Sequence, residues 1–72
     1  MFTYTEIKRH EDHKSTSYLV TFHGWKLGKA IVFDSDGSFR FFGEEVQADG
    51  SILTMVRDYK NREHFERGGK PY

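Results

Sequence analysis

The chain has 72 residues, eleven basic and eleven acidic side chains, and no cysteine. Disulfide frameworks and thiolate metal sites are therefore excluded, and zero formal net charge does not indicate a strongly basic nucleic-acid binder. No apolar run approaches the roughly 20 residues of a membrane helix. The opening MFTYTEIKRHEDHK lacks the apolar stretch of a secretory signal. One small cytoplasmic domain with no membrane partner is the expectation.

Phe2 to Arg9 is expected as a first strand, rich in β-branched and aromatic residues. Its apolar character changes face midway, which suggests an edge strand or a bulge. His10 to Ser17 is polar throughout and is expected as a loop. A second strand follows over 18–23, with Tyr18, Val20 and Phe22 on one face.

After Gly24, a third strand over about 26–33 is expected, with Trp25, Leu27, Ile31 and Phe33 on one parity. Gly28 inside that pattern suggests a bulge or a close backbone approach. Asp34-Ser35-Asp36-Gly37 is the clearest turn signal in the chain. The fourth strand, over 38–43, then places Phe39 and Phe41 on one face and Arg40 and Phe42 on the other.

Residues 51–67 fit two conformations. Ile52, Leu53, Met55, Val56 and Tyr59 form one apolar arc at helical period, and Gly68-Gly69 would stop a helix before Pro71. Alternatively, Asp49-Gly50 echoes Asp36-Gly37, as ADGSILTM beside SDGSFRFF, and Ser51 to Val56 is a fifth strand. Periodicity, length and the double glycine favour the helix. The expected fold is therefore α+β: a small antiparallel three- to four-stranded sheet, with one C-terminal helix over 51–67 packed on one face and a tail over 68–72. The expected core is Ile7, Val20, Phe22, Ile31, Phe33, Phe41, Ile52, Val56 and Tyr59.

Charge is unevenly spread. Residues 34–49 hold one basic and five acidic side chains, whereas 1–33 and 57–72 each hold five basic and three acidic ones. The central turn is thus an acidic pole. His10 and His13 stand three apart beside Glu11 and Asp12, but no metal-ligand spacing is present. Asp34, Asp36, Ser38 and Glu45 approximate a calcium loop, yet Phe39 occupies the position where that loop needs glycine. No metal, cofactor or catalytic residue is expected, because the serines occupy turn or cap contexts and no nucleophile–base pair is apparent.

Twelve aromatic residues are more than so small a domain encloses, since about 60% of its unfolded surface is buried. Aromatics and arginine anchor protein interfaces. The expected function is therefore a non-catalytic protein-interaction module of inhibitor or adaptor type. Its candidate contact residues are Trp25, Arg40, Phe42, Asp34, Asp36 and Glu44. The alternative is a nucleic-acid-binding sheet presenting Lys26, Lys29 and Arg40. An edge strand offers a route to a homodimer.

Overall fold

In the computed structural model, which describes residues 1–71, five strands follow one another in a single antiparallel meander. They are β1 (Phe2–His10), β2 (Ser15–Phe22), β3 (Trp25–Phe33), β4 (Phe39–Val46) and β5 (Ile52–Tyr59), followed by one short helix, α1 (Arg62–Glu66). The sheet order is β1-β2-β3-β4-β5, so β1 and β5 are the two edges.

The expected three- to four-stranded sheet with a helix over 51–67 is thus corrected. Residues 52–59 are a fifth strand, and the helix spans only five residues. The cause lies in the turn. Gly50 takes φ +87°, a left-handed conformation that glycine adopts without steric cost. Asp49 accepts hydrogen bonds from the Ser51 N–H and Oγ–H, and the Gln47 N–H donates to the Ser51 carbonyl. The chain therefore reverses, and Ile52, Thr54 and Val56 pair with Val46, Glu44 and Phe42. β-branched residues at every second position suit that pleat.

The Asp34–Gly37 turn is built alike. Gly37 takes φ +72°, Asp36 accepts from the Ser38 N–H, and the Phe33 N–H donates to the Ser38 carbonyl. The expected loop over 10–17 shrinks to four residues, because Ser15, Thr16 and Ser17 already pair with His10, Arg9 and Lys8. β4 also runs three residues further than expected, to Val46.

Two bulges set which side chain lies on which face. Ile7 is the extra residue in β1, between the Glu6–Tyr18 and Lys8–Ser17 pairs, as the change of face within that strand suggested. Leu27 is the extra residue in β3, between the Thr21–Lys26 and Val20–Gly28 pairs. The second bulge overturns the single parity expected for Trp25, Leu27, Ile31 and Phe33. Trp25 now pairs with Phe22, whereas Ile31 pairs with Ser17 and Arg40.

The core lies on one face only. Val20, Ala30, Phe39 and Tyr59 are buried, with Phe2, Tyr4, Val32, Phe41 and Phe65 packed against them. Phe65 is carried there by α1, whose N-cap Asn61 accepts from the His64 N–H. The helix ends where Gly68 takes φ +71° and the Gly69 N–H returns to the His64 carbonyl, so the double glycine does stop a helix. The Tyr4 hydroxyl donates to Glu66 at 2.6 Å and fastens α1 to β1. Burial, then the Glu66 carboxylate, pushes the Tyr4 phenol well above its ordinary value.

Of the expected core, Val20 and Tyr59 are buried and Phe41 is half-buried. Ile7, Phe22, Ile52 and Val56 are exposed. Ile31 and Phe33 are half-buried on the face that α1 does not cover. A five-residue helix is too short to seal a five-stranded sheet. The radius of gyration, 12.7 Å, exceeds the about 11 Å of a compact domain of this length. Tyr72, the last residue of the expected tail, lies outside the described residues. Among the described residues, no helix is long and apolar enough to cross a membrane.

Candidate binding face

The register defines the face of the sheet opposite α1 row by row. Thr5, Leu19, Lys29, Phe42 and Val56 make one row across all five strands. Lys8, Ser17, Ile31, Arg40 and Asp58 make the next. Phe33 pairs with Ser15 beyond them, and Lys26, Glu44, Thr54, Val46 and Ile52 lie towards the other end. Aliphatic and aromatic side chains thus alternate with charges, and among the described residues no second layer covers them. Val46, Ile52 and Val56 are 72%, 64% and 54% exposed.

Phe42 and Lys29 sit at the centre. They line two shallow hollows, one on either side. The first is completed by Ile7, His10, Ser17 and Ile31, the second by Lys26, Leu27, Glu44, Val46 and Thr54. Arg40 is held across the strand pair by Asp58, with Nε donating to Oδ1 at 2.7 Å. That carboxylate raises the Arg40 pKa further and fixes the guanidinium 6.0 Å from the Phe33 ring centroid.

The sequence-predicted residues divide by this geometry. Arg40, Phe42 and Glu44 share the open face. Lys26 and Lys29 share it with them. Trp25 stands apart at the β2–β3 hairpin, 77% exposed and paired with Phe22, whose ring packs on Phe2 on the core side. Asp36 closes the turn, and Asp34 ties it to β1 and the β1–β2 loop. Both Asp34 oxygens accept from Arg9, at 2.8 and 2.5 Å, and this bond holds its carboxyl below the usual range. The Ser38 backbone N–H does the same for Asp36.

Ile31, Phe33, Ile52 and Val56, expected in the core, belong to this face, as does Val46 at the end of β4. Their open position follows from the Leu27 bulge and from the strand conformation of 52–59.

The His10 and His13 rings approach to 6.5 Å between centroids. His10 bonds Ser17 at 2.8 Å, His13 lies 3.3 Å from Asp12, and the His23 ring lies against the N-terminal amine. Among the described residues, no three His, Asp or Glu side chains stand close enough to hold a metal ion. No protein-family model, curated protein or solved structure matches this chain.

Proposed function

We propose that the protein is a non-catalytic, cytoplasmic protein-interaction module of inhibitor or adaptor type, which binds its partner through the open face of the sheet. One observation carries the reading: Phe42 and the aliphatic residues around it lie on a sheet face that none of the described residues covers with a second layer. Apolar patches rimmed by charge are the usual mark of an interaction surface on a small protein. Phe42 is the anchor. Arg40, already oriented by Asp58, and Glu44 supply directional contacts beside it.

Affinity capture from lysate with wild type, Phe42→Glu and Arg67→Ala tests this reading, with folding of each variant checked by circular dichroism. Arg67 lies on the far side, beyond α1. Loss of the same partner with Phe42→Glu, and its retention with Arg67→Ala, is expected. Identical partner lists for all three proteins would overturn the proposal.

A second reading rests on Lys26 and Lys29, which border the same hollow as Phe42. They would meet phosphate while the ring stacks on a base. Binding to random duplex DNA and to single-stranded DNA at low salt, lost with Lys26→Glu/Lys29→Glu and weakened steeply by added salt, would favour it. An absence of binding at low salt would remove it.

A further inference from the structure

The two edges of the sheet differ. β1 is protected by the Ile7 bulge and by the charges of Glu6, Lys8 and Arg9, devices that discourage a further strand. Residues 52–56 of β5 have no such protection. Ile52-Leu53-Thr54-Met55-Val56 contains no charge, no proline and no bulge, and pairs on one side only. Ile52, Leu53 and Val56 are all large exposed hydrophobics on this edge.

The same run is chemically palindromic about Thr54. A β-branched residue stands two places away on each side, Ile52 and Val56, and a flexible unbranched-at-Cβ residue stands one place away, Leu53 and Met55. We propose that two copies of the chain pair antiparallel through β5, about a two-fold axis at Thr54, to give a ten-stranded sheet.

In that register Ile52 faces Val56 of the second copy, Leu53 faces its Met55, and the two Thr54 residues face each other. Each pair has matching parity, so every side chain stays on its own face of the combined sheet. Arg57, which makes no ion pair among the described residues, comes opposite Ser51 and one diagonal step from Asp49 of the second copy. No like charges meet. A register displaced by two residues in one direction would instead set Ile52 against Asp58, and in the other it would set Ile52 against Thr54 and break the match of β-branched residues. The dimer joins the two open faces edge to edge, with Val56 of both copies at the seam. It stands on the β5 edge alone and does not depend on the binding role of the open face.

Sedimentation equilibrium of the full chain up to about 1 mM, the weak limit of specific association, tests it with charge-swap variants at the axis. Wild type is expected at twice the mass of one chain. Thr54→Lys and Thr54→Glu each place two like charges face to face and are expected to halve that mass. An equimolar mixture of the two is expected to restore it. Glu44, opposite Thr54 within the chain, tolerates the lysine variant; circular dichroism checks that both remain folded.

Because the chain has no cysteine, Thr54→Cys supplies a second readout. Mild oxidation is expected to give a covalent dimer faster than for Thr3→Cys on the opposite edge. A monomeric wild type at every concentration would overturn the proposal. So would charge variants that stay dimeric, a mixture that stays monomeric, or equal cross-linking at positions 54 and 3.

Discussion

The Phe65 ring stacks on the Phe39 ring, with centroids 4.7 Å apart and planes 27° from parallel. Phe39 is the largest fully buried side chain, and Phe65 covers it from the short helix. The same ring also meets Phe2, Phe41 and Tyr59, so one residue of α1 joins three strands. Phe65→Ala should therefore cost about 2–4 kcal/mol, the lower part of the range for a buried phenylalanine because this ring is half-buried. Phe65→Leu should cost about 1 kcal/mol. Urea unfolding followed by far-ultraviolet circular dichroism measures both. Small and equal costs for both substitutions would show that the Phe65 ring does not carry the packing over Phe39.

Gly28 and Gly43 stand directly opposite each other in the β3–β4 ladder, and the Phe41 ring lies over both. A methyl group at Gly28 would collide with the Phe42 carbonyl, which is backbone and cannot turn aside. At Gly43 it would come within 2.9 Å of the far edge of the Phe41 ring, which can swing away. Gly28→Ala should thus destabilise by about 2–3 kcal/mol or more, and Gly43→Ala by about 1 kcal/mol. Thermal unfolding of the two variants gives the order, and a reversed order would contradict the close approach of β3 and β4.

The first of these glycines was legible before the fold was known, as a residue out of keeping with its apolar neighbours. So were the change of face in β1, the Asp34–Gly37 turn and the opposite faces of Phe39 and Arg40. Two features were not legible, each for a physical reason. Ile52, Val56 and Tyr59 satisfy helical spacing, yet Ile52, Thr54 and Val56 satisfy alternation equally well, and only pairing with β4 decides between them. Gly28 did suggest a bulge at this point, but which residue is the extra one, Leu27, and so which faces Trp25 and Lys26 take, is defined by the partner strand. That one shift separates Trp25 from the Phe42 face, so the candidate site divided while Lys26, Lys29, Arg40, Phe42 and Glu44 came together.

Acid should unfold the protein through its turns. Arg9 holds the Asp34 carboxyl below the usual carboxylate range, and hydrogen bonds from Ser38 and Ser51 do so for Asp36 and Asp49. A carboxyl depressed in the folded state leaves the unfolded chain to bind protons first. Its contribution is present above the unfolded value of about 3.9 and is lost as pH falls through the folded one. Urea midpoints should be flat from neutrality down to about pH 5 and should fall below about pH 4. Asp34→Asn should lower the neutral plateau and flatten the acid limb. An unchanged acid limb would mean that the Arg9 contact does not persist in solution.

Gly50 tests the conformation of the segment that follows it. At φ +87° a side chain meets no neighbouring atom, so the cost of a substitution there is confined to the backbone. Gly50→Ala should therefore cost about 1–2 kcal/mol, within the range for a non-glycine residue held in the left-handed region. Gly50→Asn should cost less, because asparagine enters that region more readily than alanine. If residues 51–67 were helical, alanine just before the first turn would be neutral or better, since it carries no left-handed strain there. Amide exchange adds a second discriminator. In the Thr54→Lys variant, whose β5 edge is expected to stay free of a second copy, protection should follow the alternation of the β4–β5 ladder, with slow and fast amides at every other residue from Ile52 to Asp58, because only the side of β5 that faces β4 is then paired. A continuous protected run over those residues, together with a stabilising Gly50→Ala, would contradict the fifth strand.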